Sequence, residues 1–363
     1  MRNLSRAVVL SPSPLVASFR LLQMKTPTLP AIVAALSFIA APWSIAETSS
    51  VPDTMRAAAI DRGGDAETLS IHQVPVRMPN AGEVLIAVKA AGVGVWQAKY
   101  RPRDSDDTHF PVILGSDGAG TVAAIGTGVR GFKVGDEVYG TNGAFYAEYV
   151  TVQAENVAHV PRGINPTEAG ILGISGLSAL QGIDDALNLR SGEKLIIHGA
   201  AGGVGTLAVQ FAKLRGAKVL ATVSDEAGAA LVSRLGADVV VNGRTADIAA
   251  AARSFAPDGV DAVLGLAGGE ALEHCIDALR HDGRGRVTYL YGMEPIPKPR
   301  FGIRMVLYSY IPGVREFEQL NKAVEAAKLQ VPIAAEYPLA DAAEAHKRLE
   351  AGHLLGKIVV RVR

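Results

Sequence analysis

Between a short apolar strand, Lys194 to His198, and a run with helical spacing, Thr206 to Arg215, the chain carries the turn Gly199-Ala200-Ala201-Gly202-Gly203-Val204-Gly205. Glycines at these points allow a tight turn. They also clear side chains away from the N–H groups that open a helix, which is what a bound phosphate requires. The spacing is one residue looser than a strict G-x-G-x-x-G, so its meaning depends on context. That context is supportive. KVLATV (218–223), ADVVVN (237–242), DAVLGLAG (261–268) and RVTYLY (286–291) alternate with helical stretches such as EAGAALVSRLG. The alternation predicts βαβ units and a parallel sheet, an α/β doubly wound domain. Gly199, Ala200, Gly202, Gly203, Val204 and Gly205 are the expected dinucleotide contacts.

Other uses of such a loop fail on named residues. A nucleotide-triphosphate loop needs Gly-Lys-Ser/Thr, whereas Thr206 follows Gly205 directly. A short-chain dehydrogenase needs a later Tyr-x-x-x-Lys, and none occurs. Before the turn, from Met55 to about Ala169, the chain reads as short strands and turns. After about Arg315 come two helical stretches and a strand, GKIVVRV. The expected division is residues 1–54 as a targeting-like segment, 55–173 as a β-rich catalytic domain, 174–315 as the nucleotide domain and 316–363 as a segment returning to the first.

Composition narrows the function. Basic and acidic residues both number 36, with no basic stripe, so nucleic acid is not an expected partner. A single cysteine, Cys275, excludes a disulfide framework and Cys-rich metal sites. No G-x-S-x-G elbow or H-E-x-x-H pair is present. Cys275 and His198 both read as packed core residues.

No acid precedes Glu47, and the four basic residues before it leave 32 basic against 36 acidic side chains in the rest. Met24 to Ala46 has the basic start, apolar run and small-x-small end of an export signal; the run is too short for a stable membrane span. An organelle presequence and a true start at Met55 remain open alternatives. The compartment is therefore exported (periplasmic) in one case and cytoplasmic in another.

NAD enzymes place an acid at the end of the second strand of this unit to hold the ribose 2′-OH. Here that strand ends Thr222-Val223-Ser224. Asp225 and Glu226, just beyond, suit a helix cap. Ser224 and Arg244 are the groups expected at a 2′-phosphate, which favours NADPH over NADH.

Several ordered segments carry a wider resemblance: AAGVGVWQAKYR (90–101), FPVILGSDGAGTVAAIGTGVRGFKVGDEVYG (110–140), AEYVTV (147–152), GLSALQG (176–182), HGAAGGVGTLAVQFAKLRGAKVLATVS (198–224), LGADVVVN (235–242) and GHLLGKIVVRV (352–362). From Met55 to Arg363 the chain resembles the medium-chain dehydrogenase/reductase superfamily, in its zinc-free quinone-oxidoreductase branch. The resemblance implies a GroES-like β-rich catalytic domain and a Rossmann domain with the active site between them. It further implies hydride transfer from NADPH to quinones or α,β-unsaturated carbonyls, and a homodimer. Lys357, in the last segment, joins the expected cofactor contacts.

Departures from the family are informative. Where zinc-dependent relatives carry a Cys ligand stands Gly94, and where they carry Gly-His-Glu stand Gly115-Ser116-Asp117, so no zinc is expected. The usual Asn-Pro-x-Asp-x-Lys segment is replaced by Gly94 to Lys99, with only the Lys kept. Two family NADP anchors, a Lys and a Tyr, align with Gly228 and Gly243.

Hydride transfer asks the protein for orientation and a proton source. Lys99 and Tyr100 are the expected catalytic residues, with a solvated loop cation and a packing ring as the alternatives. Trp96 and Tyr146 are expected to wall the pocket, and Asp117 to form a turn. A second enzymatic reading is an enoyl-thioester reductase, with Arg101, Arg103, Lys298, Arg300 and Arg304 as a basic patch. A third is a non-catalytic NADPH-binding, redox-sensing protein.

Overall fold

A computed structural model describes residues 51–99, 101 and 109–363. The expected export signal, Met24 to Ala46, lies outside these residues, as do Tyr100 and Arg103. Among the described residues no helix is long and apolar enough to cross a membrane.

The first lobe comprises β1 (Thr54–Ile60), β2 (Leu69–Pro75), β3 (Glu83–Val93), β4 (Val112–Ile113), β5 (Asp117–Ile125), β6 (Glu137–Thr141), β7 (Tyr149–Gln153) and β8 (Val157–His159). A short helix, α1 (Val95–Lys99), follows β3. β1 pairs antiparallel with β2 and β4, while β3 pairs antiparallel with β5 and β7, and β5 continues through β6 to β8. α2 (Pro166–Ala169) and α3 (Leu172–Gln181) lead out of this lobe. Asn165 starts α2 by a capping box: its side chain accepts the Glu168 N–H at 2.9 Å, and the Glu168 carboxylate accepts the Asn165 N–H at 2.9 Å. Pro166 supplies the preset φ of a first helical residue.

The second lobe alternates β9 (Lys194–His198), α4 (Gly203–Leu214), β10 (Lys218–Val223), α5 (Glu226–Arg234), β11 (Val239–Asn242), α6 (Ile248–Phe255), β12 (Ala262–Gly265), α7 (Glu270–Asp277), β13 (Arg286–Leu290) and β14 (Arg304–Tyr308). The six strands lie in the order β11-β10-β9-β12-β13-β14, all parallel. The order in which successive strands are added reverses between β9 and β12, and a crevice opens at the carboxyl ends there. The apolar runs follow from burial on both faces. Leu195 and Ile197 of β9 share a core with Leu207 and Phe211 of α4, while Ile196 packs with Ile248 of α6 and Leu272 of α7. Each such fully buried side chain contributes roughly 1.5–3 kcal/mol.

The tail is α8 (Val314–Ala327), β15 (Ile333–Pro338), α9 (Ala342–Glu350) and β16 (Lys357–Arg361). β16 pairs antiparallel with β3, and β15 lies parallel on β16, so the chain ends in the sheet of the first lobe. Phe317 and Leu320 of α8 pack instead into the core of α3 and α4.

Five strands, β2, β4, β8, β14 and β15, are absent from the sequence reading. All five lie at sheet edges, where LSIHQVP, RMVLY and IAAEYP leave most of their residues exposed or half-buried and carry polar groups. Asp117 is a further correction. It opens β5, fully buried, rather than forming a turn.

Candidate active site

A cleft of about 960 Å³ runs between the lobes, with the glycine-rich turn along one wall. Gly199 leaves β9 with φ +81°, a left-handed conformation that favours glycine. Gly205 sits where a Cβ would stand 2.4 Å from the Gly199 carbonyl oxygen and 2.7 Å from Ala200, so helix and strand can approach. Gly202 caps α4 at φ −78° with no capping side chain. A Cβ there would meet nothing nearer than the Gly199 oxygen at 3.5 Å. The first N–H groups of α4, which have no carbonyl one turn back, thus open on the cleft with the positive end of a twelve-residue helix behind them. Gly199, Gly202, Gly203, Val204 and Gly205 line the cleft. Ala200 does not: it is fully buried, with its N–H on the Thr222 carbonyl, and Ala201 lines the wall in its place.

The start of β16 closes onto this turn. Gly356 donates to the Ala201 carbonyl at 2.8 Å and bridges Gly202. Lys357 follows, so close that a Cβ on Gly203 would stand 2.8 Å from its Cδ. Its Nζ lies 4.4 Å over the Trp96 ring, and burial lowers its pKa, against the pull of Asp117. Asp117, in turn, is pushed up to about 6 by burial, opposed by Lys357 and the Ile174 N–H. Its Oδ2 accepts from Ile174 at 3.2 Å, and its Oδ1 has no hydrogen-bond partner among the described residues.

At the other end of the cleft, Ser224 and Arg244 leave β10 and β11 side by side. Asp225 caps α5, its Oδ1 accepting the Gly228 N–H at 2.7 Å, while its Oδ2 accepts from the Ser224 hydroxyl at 3.4 Å. His198 forms part of the floor, with Nδ1 2.7 Å from the Thr222 hydroxyl, and burial lowers its pKa to about 4. Cys275 is a buried core residue, its thiol pushed up to about 12.

The first lobe contributes Trp96, Lys99, Ser116 and Asn142 to the opposite end. A hydrogen-bonded relay fixes Trp96. Its indole N–H donates to Ser116 Oγ at 3.1 Å, which also accepts from Gln97 at 3.2 Å. Gln97 Oε1 accepts from the Tyr146 hydroxyl at 2.9 Å, and Tyr146 lies 3.2 Å from His346 Nε2 on α9. Arg101, buried, reaches His346 Nδ1 at 3.3 Å and pairs with Glu350 at 2.6 Å. Tyr146 therefore supports the pocket from behind rather than walling it. Tyr310, from the segment after β14, donates to Asn142 Oδ1 at 3.2 Å across the cleft, and burial with nearby Asp117 pushes its pKa up to about 12. Asn142 holds a left-handed backbone, φ +61°.

Lys99 stands at the cleft wall, where it bonds the Gly292 carbonyl and pairs with Glu294, both at 2.9 Å. Of the expected basic patch, the four residues that are described do not come together at the cleft. Arg101 is buried, Arg300 is paired with Glu273 and Asp277, and neither they nor Lys298 and Arg304 line the cleft. Sequence reasoning missed Asn142, Tyr310 and His353, which lie in connections distant in sequence and meet only through the fold. For Asn142 the one local signal is Thr-Asn-Gly after a strand, a turn pattern that tolerates positive φ.

Two family models match: the alcohol dehydrogenase GroES-like domain over residues 80–162 and a zinc-binding dehydrogenase domain over residues 235–360. Mouse (Mus musculus) quinone oxidoreductase is 32% identical over 311 residues, 81% of this chain and 93% of the mouse protein. A mycobacterial structure complexed with NADPH is 28% identical, with TM-score 0.75 over 85% of this chain and 100% of its own. A 2-haloacrylate reductase structure is 27% identical, with TM-score 0.73 over 85% of this chain and 99% of its own. A GroES-like lobe facing a Rossmann lobe defines the medium-chain dehydrogenase/reductase class of oxidoreductases. Within that superfamily the chain belongs to the quinone oxidoreductase-like branch.

Proposed function

We propose that the chain is an NADPH-dependent, zinc-independent reductase that delivers hydride to a quinone or an α,β-unsaturated carbonyl. The observation that carries this reading is one continuous cleft joining the Ser224–Arg244 corner, the glycine turn and the Trp96–Tyr310 pocket. Those are the three stations a phosphorylated dinucleotide needs, in the right order. The NADPH in the mycobacterial relative and the activated alkene named for the 2-haloacrylate reductase support it.

When bound, the cofactor supplies the hydride. The α4 N-terminus, with Lys357 beside Gly203, would hold its pyrophosphate, and Ser224 and Arg244 would face its adenosine end. The Trp96 indole, locked through Ser116, is a flat wall for a conjugated acceptor. The Tyr310 hydroxyl, aimed across the cleft at Asn142, donates a hydrogen bond to the acceptor carbonyl and stabilises the negative charge that forms on its oxygen.

The residues present do not fit a catalytic zinc. A Cβ on Gly94 would stand 2.2 Å from the Trp96 ring, and the Ser116 hydroxyl is taken by Trp96 and Gln97. Among the described residues no three His, Cys, Asp or Glu side chains could hold a metal ion. For the enoyl-thioester alternative, the four described residues of its basic patch do not line the cleft, which favours the quinone or enone reading. A homodimer is part of the proposal, seated on the open edge of β14 with exposed Phe301 and Leu307; size-exclusion with light scattering giving a monomer would remove that part.

The test is NADPH oxidation by the full chain with benzoquinones and with enones, with and without 1,10-phenanthroline. Acceptor-dependent turnover unaffected by the chelator is expected. Tight NADPH binding without turnover on any acceptor would leave the non-catalytic, redox-sensing reading instead.

A further inference from the structure

Arg244 has no carboxylate within ion-pair distance among the described residues. Its guanidinium donates instead to His353 Nε2 at 3.0 Å, and both residues line the cleft beside Ser224. His353 comes from the turn that leads into β16, a strand of the first lobe's sheet, and so reaches Arg244 from outside the nucleotide sheet. We infer that His353 is a positioning residue that aims Arg244, and that with Ser224 the two build a site for the 2′-phosphate of an adenine dinucleotide. This rests on the NADPH reading above and assigns the recognition of its distinguishing group.

The corner is preformed from the strands outward. Val223 of β10 pairs with Asn242 of β11, and the Gly243 N–H donates to the Val223 carbonyl at 2.8 Å, so Ser224 and Arg244 leave the sheet together. Asn242 Oδ1 then accepts the Arg244 N–H at 3.0 Å and turns the side chain. From the other side, His353 is held at φ +51° after Gly352 at φ +72°. Arg348 pins that turn, bonding the Gly352 carbonyl at 2.8 Å and the His353 carbonyl at 3.3 Å.

The choice of partner decides the chemistry. An arginine can only donate, so the imidazole accepts through Nε2. A carboxylate in that place would orient the guanidinium equally well but would cancel its charge and repel a phosphate. A ring nitrogen orients without cancelling, which leaves the other N–H groups of Arg244 free to grip an oxyanion in bidentate fashion. The acid that would select a ribose 2′-OH, Asp225, does not line the cleft: its Oδ1 caps α5, and its Oδ2 accepts from the Ser224 hydroxyl at 3.4 Å, a bond that a phosphate oxygen would replace. At the two positions where the family resemblance places NADP anchors stand Gly228 and Gly243, and the Arg244–His353 pair takes over their work.

Titration calorimetry of the full chain with adenosine 2′,5′-bisphosphate and with 5′-AMP tests this, because the two ligands differ only by the 2′-phosphate. The wild type should prefer the bisphosphate by on the order of tenfold or more, the worth of one charge-assisted contact. Arg244→Ala should abolish the preference with 5′-AMP affinity unchanged. His353→Gly keeps the left-handed backbone and removes the acceptor; the preference should shrink several-fold. His353→Gln returns an acceptor near the place of Nε2 and should regain most of it. Equal binding of both ligands by the wild type would sink the NADPH reading itself, and this site with it. A wild-type preference that survives His353→Gly, or that Gly and Gln reduce alike, would overturn the positioning role alone.

Discussion

The guanidinium of Arg101 lies 3.3 Å from His346 Nδ1, and that single contact sets the protonation of a fully buried imidazole. Arginine has no acceptor, so Nδ1 must carry the lone pair and Nε2 the proton, directed at the Tyr146 oxygen. Tyr146 is then free to donate to Gln97, and the order passes through Ser116 to the Trp96 indole in the cleft. Burial and the Arg101 charge together lower the His346 pKa to about 4.

A pH dependence of stability follows. The unfolded chain binds a proton at His346 near the ordinary value of 6.5, while the native state refuses it until about 4, so stability falls as pH drops through that window. His198, also lowered to about 4, acts in the same sense. Asp117 acts in the opposite one: the native state holds its proton up to about 6, the unfolded chain only to about 3.8. Two against one, these three groups leave a net loss of stability as pH drops from 6 to 4. In His346→Gln one of the two histidine contributions is gone and the slope should become shallower, although the variant is less stable at pH 7. Urea unfolding at pH 7, 6 and 5 measures this; an unchanged slope in the variant would contradict the assignment.

The glycine turn separates two kinds of glycine. Gly202→Ala meets an allowed φ and open space, so thermal stability should hold while dinucleotide affinity falls at least tenfold, because the new methyl stands where the phosphate must approach. Gly205→Ala drives a Cβ against the Gly199 and Ala200 backbone and should lower the melting temperature as well. Melting curves beside NADPH titrations check both, and a destabilised Gly202→Ala would refute the distinction.

Much of the second lobe was legible because burial on both faces writes itself as unbroken apolar runs: KLIIH and KVLATV became β9 and β10. The glycine turn was legible for the same kind of local reason. What was not legible depends on meetings between remote segments. Tyr310 and Asn142 are 168 positions apart, and Arg244 and His353 are 109 apart. Nothing near Asp117 announces that a strand from the end of the chain will bury Lys357 beside it. Lys99 was read from a retained family position, and the fold adds an ion pair with Glu294 that its neighbours in sequence do not foretell.

Lys357 should act on every adenine dinucleotide alike. It stands beside Gly203 at the phosphate turn, remote from the Ser224 corner that distinguishes a 2′-phosphate. Lys357→Met keeps the length of the side chain and removes the charge. NADPH and NADH dissociation constants should rise by a similar factor, about tenfold. A loss confined to NADPH would place Lys357 at the 2′-phosphate instead.

Tyr310 is the side chain whose removal should touch chemistry while sparing binding. Its hydroxyl reaches Asn142 at 3.2 Å from the opposite lobe, inside the pocket that Trp96 walls. A phenol pushed up to about 12 stays protonated at any pH the enzyme meets, so it is a permanent donor toward a developing oxyanion. Tyr310→Phe preserves the ring and deletes only that donor. With enone acceptors, kcat should fall on the order of 10²-fold while the NADPH dissociation constant stays within about twofold, since loss of one such donor costs about 3 kcal/mol at the transition state. The profile of kcat against pH should show no ionisation assignable to Tyr310 below pH 10. Retention of full kcat in Tyr310→Phe would remove the hydroxyl from the mechanism and leave Asn142, on the facing wall, as the next donor to test.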